Sequence, residues 1–146
     1  MRCSMSDVEL PDVNVLVALL SANHVHHTTA RDWFASTPRF ATTPITEAGL
    51  VRMALNRAVM GTAITAQQAL ASLASLRADD RAEFVPDESS LAAPSIDLVG
   101  LAGHKQVTDL HLVNLMARHS GVLVTLDTRI RPVLTPADQP LVRVLL

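Results

Sequence analysis

The strongest constraint on the fold is the alternation of short apolar runs with longer segments of helical spacing. Five apolar runs are predicted strands: 8–10 (VEL), 39–43 (RFATT), 83–86 (EFVP), 122–126 (VLVTL) and 141–146 (LVRVLL). The first four are separated from one another by segments that favour helices. Strands that alternate with helices form a parallel or mostly parallel sheet covered on both faces. We therefore predict an α/β fold in one domain, 8–146, after a lead over residues 1–7.

Capping residues indicate where the predicted helices begin and end. Thr43 followed by Pro44 indicates the start of a helix that runs to about residue 59 and that Gly61 can end. Thr108 is predicted to cap the helix after it. The other predicted helical segments are 26–36, 65–76 and 95–103. The apolar stretch 13–20 is predicted to be a buried helix or strand, and if it is a helix, Asp12 or Asn14 can cap it.

The composition excludes several classes of protein. With 49% hydrophobic and 18% charged residues, the chain is expected to be globular rather than disordered. A net charge of −2 gives no general attraction to nucleic acid or acidic lipid, so a polyanionic partner requires a local basic patch or bound cations. The single cysteine, Cys3, favours a reducing compartment, and the apolar stretch 13–20 is too short to span a membrane. We expect a cytoplasmic protein that does not insert into membranes.

Four carboxylates occupy positions that a parallel sheet would bring together. Asp12 and Asp127 directly follow predicted strands, whereas Glu47 and Asp109 lie in or near the first turns of predicted helices. Strand ends and helix starts meet at one edge of such a sheet, so the four side chains are expected to converge. Taken singly, each has a simpler interpretation as a helix cap, a first-turn residue favoured by the helix dipole, or a side chain that reaches water. The remaining acids, Glu9 among them, are expected at the surface or in caps.

Converging carboxylates repel one another, and burial disfavours their charged forms. Either bound protons or a divalent cation would relieve this repulsion. Oxygen ligands suit Mg²⁺ or Mn²⁺, whereas zinc is poorly served because the single cysteine is remote. Carboxylates that hold such a cation are typical of phosphoryl-transfer and nuclease sites.

Three stretches carry a resemblance to a known family. They are PDVNVLVAL with Asp12, TTPITEAGLVR with Glu47, and TDLHLVNLMARHSGVLVTLD with Asp109 and Asp127. The chain resembles the PIN-domain ribonucleases, and among them the VapC toxins of bacterial toxin–antitoxin systems, over nearly all of 8–146. The resemblance implies a three-layer α/β/α fold with a central, mostly parallel sheet.

The resemblance also implies an activity and its partners. It implies an endoribonuclease that requires Mg²⁺ or Mn²⁺ and is inhibited by a small cognate antitoxin like VapB. The apolar helices in 45–60 and 65–77 are expected to form a homodimer or to hold the antitoxin, unless they are ordinary core. The family often has an aromatic residue three positions after its fourth acid, where this chain has Ile130. The residues implied to act are Asp12, Glu47, Asp109 and Asp127 as catalytic metal ligands, and Asn14 and Thr125 as supporting polar groups.

Positive charge for RNA is supplied only locally. Arg52, Arg129 and Arg131 are candidates to guide phosphate groups, and the alternative is that they are scattered surface residues. The histidines at 24, 26 and 27 either bind a transition metal or lie at the surface where a helix begins.

Two other functions remain open from the sequence. One is a catalytically silent PIN-like interaction module. The other is a receiver-like phosphoacceptor, which also places acids and Mg²⁺ at a parallel sheet. A receiver normally needs a lysine near its acids, and the only lysine, Lys105, is predicted in a loop between helices, which argues against it.

Overall fold

The computed structural model describes residues 7–146, and a five-stranded sheet lies at its centre. Every neighbouring pair of strands is parallel, and the strand order is β3-β2-β1-β4-β5. The predicted parallel α/β sheet is confirmed. Residues 1–6 of the predicted lead, which include Cys3, lie outside the described residues. The strands are β1 (Val8–Pro11), β2 (Phe40–Thr42), β3 (Ala82–Phe84), β4 (Gly121–Thr125) and β5 (Val142–Val144).

Helices cover both faces of the sheet, which gives three layers. Successive residues of a strand point to opposite faces, so Leu10 and Leu123 enter one core while Phe40 and Val124 enter the other. No helix within residues 7–146 is long and apolar enough to cross a membrane. The α-helices of this part of the chain are α1 (Val13–Leu20), α2 (His27–Ser36), α3 (Pro44–Ala54), α4 (Arg57–Met60), α5 (Ala66–Arg77) and α6 (Val107–Arg118).

The helix predicted from residue 44 to about 59 is in fact two helices, so that prediction was wrong. The side-chain oxygen of Asn56 accepts hydrogen bonds from the backbone nitrogens of Ala58 and Val59, at 3.0 and 3.4 Å. This capping starts a new helix, α4, after α3 has ended. Gly61 ends α4 with a φ of 74°, a left-handed conformation that favours glycine.

The segment 95–103 was predicted as a helix, but it is irregular. It is held by contacts with α6 and with the chain after β4. The buried amide oxygen of Asn114 accepts a hydrogen bond from the nitrogen of Ser95 at 2.6 Å, and Ile96 lies in the core. Gly100 lies against the carbonyl oxygen of Val133. Contacts from distant parts of the chain therefore outweigh the local preference for a helix here.

Helix α6 begins earlier than its predicted cap. A 3₁₀ turn, His104–Gln106, leads directly into α6, which starts at Val107. Thr108 therefore lies inside the first turn and does not cap the helix, contrary to prediction. Asp109 keeps its predicted place in the first turn of α6.

Glu9 was expected at the surface, but it is buried within β1. Its carboxylate accepts hydrogen bonds from the Trp33 ring nitrogen at 3.2 Å, the Thr37 hydroxyl at 2.7 Å and the Arg143 guanidinium at 2.9 Å. These donors compensate for the loss of water. Glu9 thus connects β1 to α2 and to β5. It takes no part in the site at the carboxyl ends of the strands.

Candidate active site

Asp12 is fixed where β1 passes into α1. Its backbone nitrogen donates to the carbonyl oxygen of Val124 at 2.8 Å, and its Oδ1 accepts from the nitrogen of Val13 at 2.8 Å. The carboxylate therefore caps α1, which leaves Asn14 free for another role. Burial raises the pKa of Asp12, the hydrogen bonds from Val13 and Thr125 oppose this shift, and the charge of Asp127 adds to it.

The hydroxyl of Thr125 joins the residues around Asp12. It donates to Oδ2 of Asp12 at 3.1 Å, and it accepts from Nδ2 of Asn14 at 3.1 Å and from the backbone nitrogen of Asp127 at 3.0 Å. Its one donor and both lone pairs are therefore used. The amide oxygen of Asn14 accepts from the nitrogen of Leu126 at 3.1 Å. Asn14 and Thr125 thus hold Asp12 and Asp127 at a set separation.

Asp127 directly follows strand β4 and its nearest charged partner is Arg129. Its Oδ1 accepts from the backbone nitrogen of Arg129 at 2.8 Å and from Nε at 3.0 Å, and its Oδ2 accepts from Nη2 at 3.0 Å. These hydrogen bonds lower the pKa of Asp127. The Arg129 side chain is 86% exposed, so its positive charge stands at the rim of the site.

Asp109 approaches the same site from the first turn of α6. Its pKa is raised to about 6, chiefly by burial and also by the negative charges of Asp12 and Asp127, while the charge of Arg129 opposes the shift. Asp109 and Asp127 line one cavity, and the Thr125 hydroxyl bonds both to Asp12 and to the nitrogen of Asp127, so three elements that are distant in sequence bring the three aspartates together. These three residues are called the aspartate cluster below.

Glu47 lies at the same edge of the sheet with partners of its own. The hydroxyl of Thr42, the last residue of β2, donates to Oε2 of Glu47 at 2.6 Å. Nε of Arg77 lies 3.6 Å from the same oxygen. Because β2 is the neighbour of β1, Glu47 lies at the end of the strand next to that of Asp12, and it lines none of the cavities that contain the aspartates.

Three cavities border the aspartate cluster. A cavity of about 220 Å³ is lined by Lys105, Asp109, Asp127 and Arg129 among others. A largely apolar cavity of about 490 Å³ lies between Asp12 and α3, and Arg52 lines it. The third cavity, of about 340 Å³, extends from Asp127 towards the loop between α1 and α2. Of the three arginines predicted to guide phosphates, Arg52 and Arg129 line these cavities, whereas Arg131 is exposed and lines none of the three.

The donor chemistry of the cluster fits a hard divalent cation. The carboxylates supply oxygen alone, and the pKa of Asp109 is raised first by burial and then by the charges of Asp12 and Asp127. Within residues 7–146, no three acidic, histidine or cysteine side chains are already grouped as a finished metal-ligand set. Mg²⁺ retains several waters and needs only one or two protein carboxylates directly. The cluster therefore fits Mg²⁺ or Mn²⁺ better than a metal that requires a closed set of protein ligands.

Sequence reasoning missed Lys105 and Thr42. Lys105 was predicted away from the acids, yet it lines the same cavity as Asp109 and Asp127. Lys105 lies four residues, about one helical turn, before Asp109, and this spacing was the signal in the sequence that the two side chains lie close together. Thr42 is a polar residue at the end of a strand, as Thr125 is, and that position was its signal.

Comparison with known proteins decides the family. The family model described as PIN domain matches residues 10–133. The chain belongs to the PIN-domain family. The resemblance read from the sequence is confirmed, and the receiver-like alternative is excluded.

The relatives of this PIN domain include ribonucleases named VapC. It is 47% identical over 121 residues to Ribonuclease VapC39 of Mycobacterium tuberculosis strain H37Rv, which covers 81% of this chain and 87% of that protein. It is 42% identical over 120 residues to Ribonuclease VapC38 of the same strain, over 81% of this chain and 84% of that protein.

A solved structure shows the same fold. The crystal structure of the Mycobacterium tuberculosis toxin VapC20, which cleaves the sarcin–ricin loop, superposes with a TM-score of 0.59. The match covers 85% of this chain and 93% of that chain at 14% sequence identity. The predicted three-layer PIN-like fold is confirmed.

Proposed function

We propose that this PIN domain is an endoribonuclease that requires Mg²⁺ or Mn²⁺ and hydrolyses phosphodiester bonds of RNA. The observation that carries the proposal is the position of the aspartate cluster at the carboxyl edge of a parallel sheet. Relatives over 40% identical across most of the chain bear the name ribonuclease, which supports the substrate class.

The proposed catalytic residues are Asp12, Asp109, Asp127 and Glu47, which would hold the cation. Such a cation, when bound, lowers the pKa of a water molecule and offsets the charge of the reacting phosphate. The chain's own task is to keep the carboxylates ionised and correctly oriented. The Thr125 hydroxyl orients Asp12, and the Thr42 hydroxyl orients Glu47.

The basic residues around the cluster are proposed to attract the RNA backbone. Arg129 and Lys105 line the cavity that contains Asp109 and Asp127, and Arg52 lines the cavity on the other side of Asp12. Their placement compensates locally for a net charge of −2. Binding that depends on these phosphate contacts should weaken as salt is raised.

A small cognate antitoxin of the VapB kind is the proposed protein partner. The similarity to VapC proteins supports this partner, and VapC20 is described as a toxin. Inhibition would follow if the partner covered the cavity of about 490 Å³ beside Asp12. We propose that this activity operates under control of that partner.

The test is RNA cleavage by the purified chain with Mg²⁺ or Mn²⁺ and, separately, with EDTA. We expect cleavage with either metal and none with EDTA. The variants Asp12→Asn and Asp109→Asn should lose activity by about 100-fold or more, because each lowers the negative charge that holds the cation. The matched control is Asp32→Asn, which changes an exposed acid on α2. Full activity of Asp109→Asn would contradict the proposal.

A catalytically silent interaction module is the second candidate function. One observation favours it, namely that both carboxylate oxygens of Asp127 are already bonded to Arg129. The same assay separates the two. A silent module would bind RNA or its protein partner and leave RNA intact with either metal.

A further inference from the structure

The loop between α1 and α2 brings two imidazole rings to the rim of the active site. His24 and His26 line the cavity of about 340 Å³ together with Asn14, Asp127 and Arg129. Asn14 and Asp127 are the residues that Thr125 ties to Asp12. The rings therefore stand beside the aspartate cluster. This space is called the histidine cavity below.

We propose that the histidine cavity binds one unpaired base of the RNA, with His24 and His26 supplying the aromatic surface on which the base stacks. This inference rests on the proposed function, because it names how the same site holds its substrate. A base in this cavity lies next to Asp127 and Arg129, so the adjoining phosphate falls at the aspartate cluster. The space is open to solvent on one side, so a base that belongs to a longer RNA strand can enter it.

The two rings are held in a fixed arrangement. Their centroids are 5.8 Å apart and their planes are tilted by 45°. Nδ1 of His24 accepts a hydrogen bond from the backbone nitrogen of His26 at 3.0 Å, which orients the His24 ring. Both side chains are half-buried, so part of each ring stays accessible. A rigid, accessible aromatic surface is what stacking on an unpaired RNA base requires.

None of the phenylalanine or tryptophan side chains lines the three cavities that border the aspartate cluster. Trp33 is buried, and it packs with Phe34 and Phe40 at centroid distances of 6.1 and 6.4 Å. Phe84 lies under the guanidinium of Arg77 at 4.6 Å. The sequence contains no tyrosine. Sequence-tolerant binding of single-stranded RNA relies on base stacking, so the histidine rings are the surface available for it next to the acids.

The histidines do not form the transition-metal site that the sequence left open. Nδ1 of His24 is engaged by the backbone of His26, and Nδ1 of His27 is 2.8 Å from the carbonyl oxygen of Ala18. Within residues 7–146 no three histidine, cysteine or acidic side chains are grouped for a metal. These interactions build the loop, and they leave the ring faces for a ligand.

The first test is binding without cleavage. Single-stranded RNA oligonucleotides with 2-aminopurine at successive positions are titrated with the full chain in EDTA. We expect the fluorescence to be quenched by stacking at one position. His24→Ala and His26→Ala should each weaken binding about tenfold and abolish the quenching, since stacking is worth about 1–3 kcal/mol per base. His119→Ala, at the far end of α6, is the control and should bind as the wild type does.

Two further variants separate stacking from a role in loop structure. His24→Phe keeps an aromatic face and loses the acceptor for the His26 nitrogen, whereas His24→Asn keeps an acceptor and loses the ring. Stacking predicts that His24→Phe binds and quenches better than His24→Asn. The reverse order would overturn the proposal, as would unchanged quenching in both alanine variants.

Cleavage assays separate this inference from the proposed function. In Mg²⁺ or Mn²⁺, the alanine variants should raise KM for RNA by about tenfold and lower kcat by less. If the wild type cleaves RNA and the alanine variants have the same KM as the wild type, the base site is contradicted and the proposed nuclease function is not. Histidine-dependent quenching by a wild-type chain that cleaves no RNA would support the base site and contradict the nuclease.

Discussion

At the scale of single residues, Thr125 connects the chemistry of the site to the stability of the fold. Its side chain is fully buried, and its hydroxyl has three partners, on Asp12, Asn14 and Asp127. A buried hydrogen-bonding group that loses its partner costs free energy, because no water replaces it. If the Thr125 hydroxyl were removed, the carboxylate of Asp12 would also lose one of the two hydrogen bonds that favour its ionised form.

We expect Thr125→Val to lower the free energy of unfolding by about 1–3 kcal/mol, because it leaves the Asn14 amide and the Asp127 nitrogen without an acceptor. Urea unfolding followed by circular dichroism measures this change. Thr125→Ser, which keeps the hydroxyl, is the control and should lose less. A Thr125→Val variant as stable as the wild type would show that the hydroxyl and its three hydrogen bonds do not stabilise the fold.

At the scale of elements, the irregular segment 85–103 forms part of the layer that contains α6. Its side chains Val85 and Ile96 join the core on that face of the sheet. Gly100 lies so close to the chain after β4 that an added Cβ would be 2.0 Å from the carbonyl oxygen of Val133. The glycine is therefore required by close approach of two backbones, since its φ is not in the left-handed region.

Gly100→Ala is expected to reduce the free energy of unfolding by about 1–3 kcal/mol, because the added methyl group forces the two segments apart. Thermal unfolding monitored by calorimetry or circular dichroism would show a lower Tm. Gly103→Ala serves as the control, because a Cβ there meets nothing within 4 Å. A Tm for Gly100→Ala as high as that of the control would show that the segment moves without cost.

At the scale of the whole molecule, apolar side chains remain exposed at the end of α3 and on α4 and α5, both of which contact α3. Leu55, Val59 and Leu70 are 47, 42 and 54% exposed. Exposed apolar side chains that lie together mark surfaces where proteins associate. The homodimer expected from the sequence remains a prediction, and this surface is where we expect it to form.

We expect light scattering after size exclusion to give twice the chain mass of 15.7 kDa. Leu70→Glu should shift the protein towards the monomer, because it places a charge in an apolar contact. Gln67→Glu adds the same charge at another exposed position of α5 and should leave the dimer intact. A wild-type chain that stays monomeric at high concentration would rule out this dimer.

The sequence by itself determined the fold class, and it predicted that four acids, Asp12, Glu47, Asp109 and Asp127, share one edge of the sheet. Alternation of strands and helices is a local property, and parallel strands align their carboxyl ends whatever the details of packing. The placement of the four acids at that edge therefore follows from their positions in the chain.

Only the tertiary structure decided which partner each charged group has. Glu47 bonds to Thr42, Lys105 reaches the cavity beside Asp109, and the rings of His24 and His26 border the site. The path of segment 95–103 also escaped prediction, since Asn114 and other distant residues hold it. The physical reason is the same in each case. These arrangements depend on contacts between side chains far apart in the sequence, which no local pattern encodes.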